Sequence, residues 1–270
     1  MQPDQKTVLI TGASSGLGKA IAEYLVTKNY TVYGTSRNPK QTEINGVKML
    51  PLDVTISDSI TEAVKSLLGK EGRIDYLINN AGRGISGPVE EIPENTLKSL
   101  FETNYFGPLN LIKAVLPTMR EQRSGMIINI TSIAGFMGLP FRGPYSASKG
   151  ALGLTTESMR MELREFGVKL TNVAPGEFAT NIAAGRFTVE VDKGSPYYRT
   201  YSKSLNLMND HVDDGKSPMV LAEAVYAVMR EENPNVHYKI GALLQRFSVF
   251  LKGVLPDKWY ERMLMNHYKL

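Results

Sequence analysis

The chain has 270 residues, 42% hydrophobic and 21% charged, which is enough apolar material to bury a sheet on both faces and too much for disorder. Its 31 basic and 27 acidic residues leave a net charge of +4, too small and dispersed an excess to mark a nucleic-acid surface. The lack of cysteine excludes disulfides, thiolate metal sites and a cysteine nucleophile, and the polar start from Met1 to Lys6 leads to an expected cytoplasmic location.

The first strand-like run, Thr7–Thr11, ends in Gly12-Ala13-Ser14-Ser15-Gly16-Leu17-Gly18, and helical spacing follows over Leu17–Thr27. Backbone amides of such a turn, together with the helix N-terminus behind it, can face a pyrophosphate that side chains would obstruct. The second strand, Thr31–Thr35, runs into Ser36-Arg37 with no acid in the stretch. Arg37 offers a charge-assisted fork for a phosphate, and Ser36 and Ser14 add hydroxyl donors. Val47–Leu52 forms the third strand and ends at Asp53-Val54. Tyr76–Ile78, the fourth, ends at Asn79-Asn80-Ala81-Gly82. Both segments stand at strand C-termini, where open α/β sheets bind ligands, although Asp53 also suits a helix cap and Asn80 a structural role.

Helical spacing recurs over Ile60–Leu68 and Leu97–Met119. Within the second of these, Pro108 has no N–H to give the carbonyl of Asn104, four residues earlier, so a kink eased by Gly107 is expected there. The fifth strand, Met126–Ile130, precedes Ser132, and Tyr145-Ser146-Ala147-Ser148-Lys149 opens the helix Ala147–Phe166. Tyr145 and Lys149 lie one turn apart on a shared face, where the lysine cation stabilises the anionic oxygen left when the tyrosine gives up its proton. Strands Lys169–Val173 and Val236–Ile240 and the helix Met219–Arg230 complete the alternation. The pattern predicts a Rossmann-like, doubly wound α/β fold, with a seven-stranded parallel sheet and helices on both faces, in one domain over residues 1–270.

The spacing GxxxGxG, the Asn-Asn-Ala-Gly segment and the Ser…Tyr-x-x-x-Lys set resemble the short-chain dehydrogenase/reductase family over roughly residues 5 to 240. The resemblance implies hydride transfer between a nicotinamide cofactor and a carbonyl or alcohol, with Ser132, Tyr145 and Lys149 as catalytic residues and Asn104 extending them into a proton relay. It implies cofactor contacts from Gly12, Ser14, Ser15, Gly16, Leu17, Gly18, Ser36, Arg37, Asp53, Val54, Asn80, Ala81 and Gly82. Tyr145 and Lys149 join them, Lys149 at the nicotinamide ribose, as do Pro175, Gly176, Phe178 through its backbone, and Thr180 at the carboxamide. With Arg37 in place of an acid, NADP(H) is the expected cofactor, and NAD(H) is the alternative. The family also implies a homodimer or homotetramer built on the helices Leu97–Met119 and Ala147–Phe166.

The intact Ser132, Tyr145 and Lys149 favour an oxidoreductase over a non-catalytic NADP-sensing protein of the same fold. Enoyl reductases space tyrosine and lysine further apart, and sugar-nucleotide epimerases carry a larger C-terminal domain than this tail allows. Residues Asn181–Ser217 are too long for an idle loop and read as a substrate lid. Phe187, Tyr197, Tyr198, Tyr201, Leu205, Leu207 and Met208 suit it to a lipophilic carbonyl substrate, or equally to lid packing or a subunit interface. The 84–92 stretch and the tail resemble hydroxysteroid, retinol and long-chain ketone reductases. His211, His237 and His267 lack metal-ligand spacing, and no metal site is expected. Asn129 reads as sheet and active-site scaffold. The extension over about 241–270 carries an apolar stripe of Leu243, Leu244, Phe247, Phe250, Leu251, Val254 and Leu255 beside Arg246, Lys252, Lys258 and Arg262. Burial in the core or against the cleft is its first reading, and contact with a membrane surface is the other.

Overall fold

The computed structural model describes residues 5–178, 186–213 and 216–270. Its strands are β1 (Thr7–Ile10), β2 (Thr31–Ser36), β3 (Glu43–Ile44), β4 (Val47–Pro51), β5 (Tyr76–Asn79), β6 (Ile85–Ser86), β7 (Gly125–Ile130), β8 (Val168–Pro175), β9 (Phe187–Thr188) and β10 (His237–Ile240). The helices are α1 (Gly16–Thr27), α2 (Ser57–Glu71), α3 (Glu94–Phe101), α4 (Gly107–Glu121), α5 (Gly143–Glu162), α6 (Tyr198–Asp213), α7 (Pro218–Met229), α8 (Leu243–Val254) and α9 (Asp257–Tyr268).

The main sheet runs β10-β8-β7-β5-β1-β2-β4-β3, with every neighbour parallel except the last pair. The seven expected strands are all present. The eighth, β3, is a correction: it adds an antiparallel edge to β4 through the two-residue turn Asn45-Gly46, whose φ values of +50° and +80° are those a type I′ hairpin demands. The Asn-Gly pair was legible in the sequence, but a two-residue strand carries no periodicity to flag it. A separate parallel pair joins β6 to β9.

Successive residues of a strand point to opposite faces, which sorts the apolar runs into two cores. Val8, Ile10 and Ile128 pack with Ile21 and Leu25 of α1 and Val225 of α7 on one face. Leu9, Leu77 and Ile127 pack with Leu67 of α2 and Leu111 and Val115 of α4 on the other. Strand order reverses between β1 and β5, so the crevice at their C-terminal ends is the position where such sheets bind ligands.

Two regions differ from expectation. The segment read as an aperiodic lid contains the 16-residue helix α6, whose buried side chains Tyr201, Ser204 and Met208 follow helical spacing. A serine in the middle of that face masked the pattern. The tail stripe divides between two sides of α8: Val249 is buried with Ile133, Met137 and Tyr260, whereas Leu243, Leu244, Phe247, Phe250 and Val254 are exposed.

Candidate active site

The glycine turn leaves β1 with φ +66° at Gly12 and +55° at Gly16, both in the left-handed region that favours glycine. A Cβ on Gly18 would lie closer than 3.0 Å to the Gly12 carbonyl oxygen and to Asn80 Nδ2. The turn is stitched to the end of β5: the amides of Asn80 and Ala81 both donate to Thr11 Oγ1 at 2.9 Å, and Asn80 Nδ2 donates to the carbonyls of Thr11 (2.9 Å) and Gly12 (3.2 Å). The side chain of Asn80 is thus committed to scaffold. Thr11 is a site residue that motif reading passed over.

Beyond this knot, Ser15 precedes α1 in extended conformation, and the first turn of α1 carries no acidic residue to compete with an anion. Leu17 packs against the core under the turn. The amide of Ala13 donates to the Thr35 carbonyl at 2.9 Å, which brings Ser14 toward Ser36 and the exposed Arg37 at the end of β2. Asp53 uses Oδ1 to hold both the amide (2.9 Å) and the hydroxyl (2.7 Å) of Thr55, so one oxygen serves the turn before α2. Val54 lies under α4, where a Cβ on Gly107 would approach its carbonyl oxygen to 2.9 Å. Gly107 therefore serves close packing, with an ordinary helical φ of −55°. This open, glycine-lined cradle at the switch point fits a nicotinamide dinucleotide.

Helix α5 is fixed to the sheet by a buried polar row. Asn79, Asn129, Asn172 and His237 sit side by side on β5, β7, β8 and β10. Asn79 Nδ2 donates to Asn129 Oδ1 (2.9 Å), and Asn129 Nδ2 donates to Thr156 Oγ1 of α5 (2.9 Å). Asn172 Nδ2 reaches the Gly153 carbonyl at 3.2 Å, and His237 Nε2 meets Glu157 at 2.9 Å. Asn129 thus has the scaffold position expected of it, and His237 has a full set of structural partners. Sequence motifs single out Asn79 and Asn129 but not Asn172, and only register lines the three up with His237.

The row places Tyr145 and Lys149 at the C-terminal ends of the strands. Lys149 is buried with Nζ on the Ile130 carbonyl at 2.8 Å, and that burial pushes its pKa down to about 8. Ser132 stands two residues past β7, its Oγ accepting the Ala134 amide at 3.1 Å. The short turn after Ser132 approaches α5 through two glycines: a Cβ on Gly135 would meet the Lys149 carbonyl carbon at 3.0 Å, and one on Gly150 would meet the Gly135 oxygen at 2.9 Å. This backbone approach draws Ser132 toward the start of α5. The ring of Tyr145 is buried with Ile85, Ile92, Ala134 and Val189, and the Arg142 guanidinium stands 5.2 Å from its centre.

The kink expected near Asn104 is a π turn over Glu102–Phe106. Fully buried, Asn104 accepts the Arg83 amide at 2.8 Å and donates to the Arg83 carbonyl (3.0 Å) and Ser148 Oγ (3.1 Å). A Cβ on Gly82 would lie 3.3 Å from both Asn104 Oδ1 and Lys149 Nζ, so the Asn80-Ala81-Gly82 segment, Asn104 and Lys149 converge.

Pro175 and Gly176 end β8, with the Gly176 amide on the Ile240 carbonyl at 2.7 Å. Gln245, which no motif announced, reaches them from α8: its Oε1 accepts the amides of Glu177 and Ala242, both at 3.3 Å, and its Nε2 donates to Glu177 Oε2 at 2.6 Å. Phe178 is buried and bridges to Lys216, and Thr180 lies outside the described residues. On the substrate side, the Tyr201 hydroxyl donates to the Ser86 carbonyl at 2.9 Å, and the Phe187 amide donates to the Gly84 carbonyl at 3.0 Å, joining the lid segment to the 84–92 stretch.

Comparison with known proteins agrees with this geometry. The family model described as short chain dehydrogenase matches residues 6–190. A 3-ketodihydrosphingosine reductase of Bacteroides thetaiotaomicron is 40% identical, with 100% of each chain covered. The crystal structure of a short-chain dehydrogenase from Streptomyces avermitilis superposes with a TM-score of 0.83 at 32% identity, covering 99% of this chain and 97% of that one. A short chain dehydrogenase from Burkholderia cenocepacia in complex with NADP has a TM-score of 0.76 at 26% identity, covering 98% and 99%. This chain belongs to the short-chain dehydrogenase/reductase family of nicotinamide-dependent oxidoreductases acting on carbonyl and alcohol groups.

Proposed function

We propose that the enzyme reduces the ketone of a lipophilic substrate at the expense of NADPH, with alcohol oxidation as the reverse reaction. The observation that carries this reading is the placement of Tyr145, walled by the apolar side chains of Ile85, Ile92 and Val189, one turn before a buried Lys149 whose Nζ is held on the carbonyl of Ile130, at the end of the strand that leads to Ser132. NADPH, when bound, supplies the hydride. Ser132 Oγ orients the carbonyl oxygen, and Tyr145 delivers the proton to it. Lys149 stabilises the tyrosinate that remains and binds the nicotinamide ribose. Asn104 fixes the Arg83 backbone and Ser148, and its main-chain carbonyl in the π turn holds the water through which Lys149 exchanges protons with solvent.

Gly12, Ser15, Gly16, Leu17 and Gly18 present the pyrophosphate site, Asp53 and Val54 the adenine contact, and Ala81 and Gly82 the floor beside the nicotinamide ribose. Pro175, Gly176 and Phe178, together with Thr180 by family resemblance, would hold the nicotinamide. Arg37, Ser36 and Ser14 select the 2′-phosphate, since no carboxylate stands at the end of β2 to repel it. We read residues 1–270 as one domain, with about 181–217 closing over the substrate. The exposed Phe106 at the end of the π turn before α4, with Leu154 and Met161 on α5, supports a homodimer or homotetramer formed there. The name of the Bacteroides relative points to a long-chain ketone, a class that partitions into bilayers and therefore implies contact with a membrane surface.

The test is NADPH consumption across a panel of lipid and steroid ketones led by 3-ketodihydrosphingosine. Wild type should turn over the long-chain members. Tyr145→Phe should abolish turnover while leaving NADPH affinity within about two-fold, because the ring and its packing stay. Substantial residual turnover in that variant would remove Tyr145 from the proton-donor role.

A further inference from the structure

Helix α8 starts directly after the C-terminal end of β10, at the ligand-binding edge of the sheet, and has two dissimilar sides. Its inner side holds Gln245 on the Gly176-Glu177 backbone and Val249 against Ile133 and Met137, next to Ser132. Its outer side carries Leu243, Phe247, Phe250 and Val254, spaced by four, three and four residues and so aligned along one edge of the helix. All four are exposed, Leu243 by 83%, and Leu244 beside them by 78%. The Phe247 and Phe250 rings stack 5.8 Å apart on that edge. Trp259, 68% exposed, stands in the first turn of α9, which two residues separate from α8.

Cations border this surface. Arg246 is exposed one turn from both Leu243 and Phe250, and Lys258 and Arg262 are exposed beside Trp259. Residues 241–270 hold five Lys and Arg against two Asp and Glu, a net +3 within a chain whose total is +4. One of the two acids, Asp257, is already paired with Lys252 at 2.7 Å. Among the described residues no helix is long and apolar enough to cross a membrane. An apolar helical stripe flanked by cations is the physical form of a helix lying in the interface of an anionic bilayer. A second copy of the chain is the poorer occupant, because a two-fold contact would set the same cations of both copies against each other.

We propose that the outer side of α8, with Trp259, Lys258 and Arg262 of α9, docks the enzyme on an anionic lipid surface and holds the substrate entrance at the bilayer. The proposal deepens the lipid-ketone reading above and rests on it for its purpose. Its test needs neither substrate nor NADPH, so the two fail separately.

The experiment is co-sedimentation of the full chain with phosphatidylcholine vesicles, with and without phosphatidylglycerol, alongside sedimentation velocity without lipid. The partition coefficient should be at least about ten-fold higher on the anionic vesicles and should fall with added salt. The double change Phe247→Ser and Phe250→Ser should lower it at least about ten-fold, while the melting temperature stays within a few degrees of wild type. If that variant misfolds, Arg246→Glu with Lys258→Glu and Arg262→Glu, which leaves the apolar packing alone, should lose the preference for anionic vesicles. Equal binding to both vesicle types, or unchanged binding by the variants, would overturn the proposal. So would a wild type that ignores vesicles and an oligomer that the Phe247→Ser, Phe250→Ser pair dissociates, since the stripe would then be an interface between copies.

Discussion

Replacing glycine by alanine inside a helix gains roughly 0.5–1 kcal/mol where space allows. Gly18 and Gly69 both lie inside helices, yet the structure predicts opposite outcomes for them. At Gly69, exposed in the last turn of α2, a Cβ meets nothing within 4 Å, so Gly69→Ala should stabilise by that amount. At Gly18 the new Cβ meets the Gly12 carbonyl and Asn80 Nδ2 at less than 3.0 Å. Moving Asn80 aside breaks its two bonds to the turn, and the Gly12 carbonyl belongs to backbone already fixed at φ +66°. Overpacking of this kind costs about 1–3 kcal/mol, which outweighs the helix gain and leaves a net loss of about 1–2 kcal/mol. At roughly 2–4 °C per kcal/mol for a chain of this size, Gly18→Ala should melt about 2–8 °C lower than wild type and Gly69→Ala about 1–4 °C higher. The displaced turn should also weaken NADPH by more than about ten-fold, which corresponds to only about 1.4 kcal/mol of lost contact. Thermal unfolding and fluorescence titration with NADPH measure both quantities. A Gly18→Ala protein with wild-type melting and wild-type NADPH affinity would refute the close-approach argument.

Arg37→Ala should weaken NADPH at least about ten-fold more than NADH, because a charge-assisted hydrogen bond to phosphate is lost only for the former. Ser36→Asp should shift the preference the same way by repulsion, and equal losses for both cofactors in paired titrations would show that neither residue discriminates. Burial pushes Lys149 down to about 8 from the ordinary lysine value of 10.5, so between those pH values the unfolded chain binds a proton that the native state has released. Native stability should therefore rise with pH across that window. The cofactor-free Lys149→Met protein lacks this group. Its stability advantage over wild type should be largest below pH 8 and should shrink by up to about 3 kcal/mol by pH 10.5, as read from urea unfolding at several pH values. A pH-independent difference would mean that Lys149 titrates normally.

Local chemistry was enough to expose much of this protein in its sequence. Strands β1, β5 and β7 announced themselves because strands covered on both faces are apolar along nearly their whole length, and Gly12, Gly16 and Gly18 did so because a tight turn beside a helix N-terminus tolerates little else. Tyr145, Lys149 and Ser132 stood out through spacing along one helix and one strand end. The break at Asn104 followed from the missing N–H of Pro108, and the structure realises it as a π turn. Tertiary structure decided what depends on register and on approach between distant segments. The row Asn79, Asn129, Asn172 and His237 exists only once four strands are aligned, and Gln245 becomes a site residue only because Gly176 and Gly241 leave room for its amide. The tail shows the same division. Its residues predicted an apolar helix, but which of them faces Ser132 and which faces outward was set by the docking of Val249 and Tyr260 on Ile133 and Met137, because burial is a property of the neighbour as much as of the side chain.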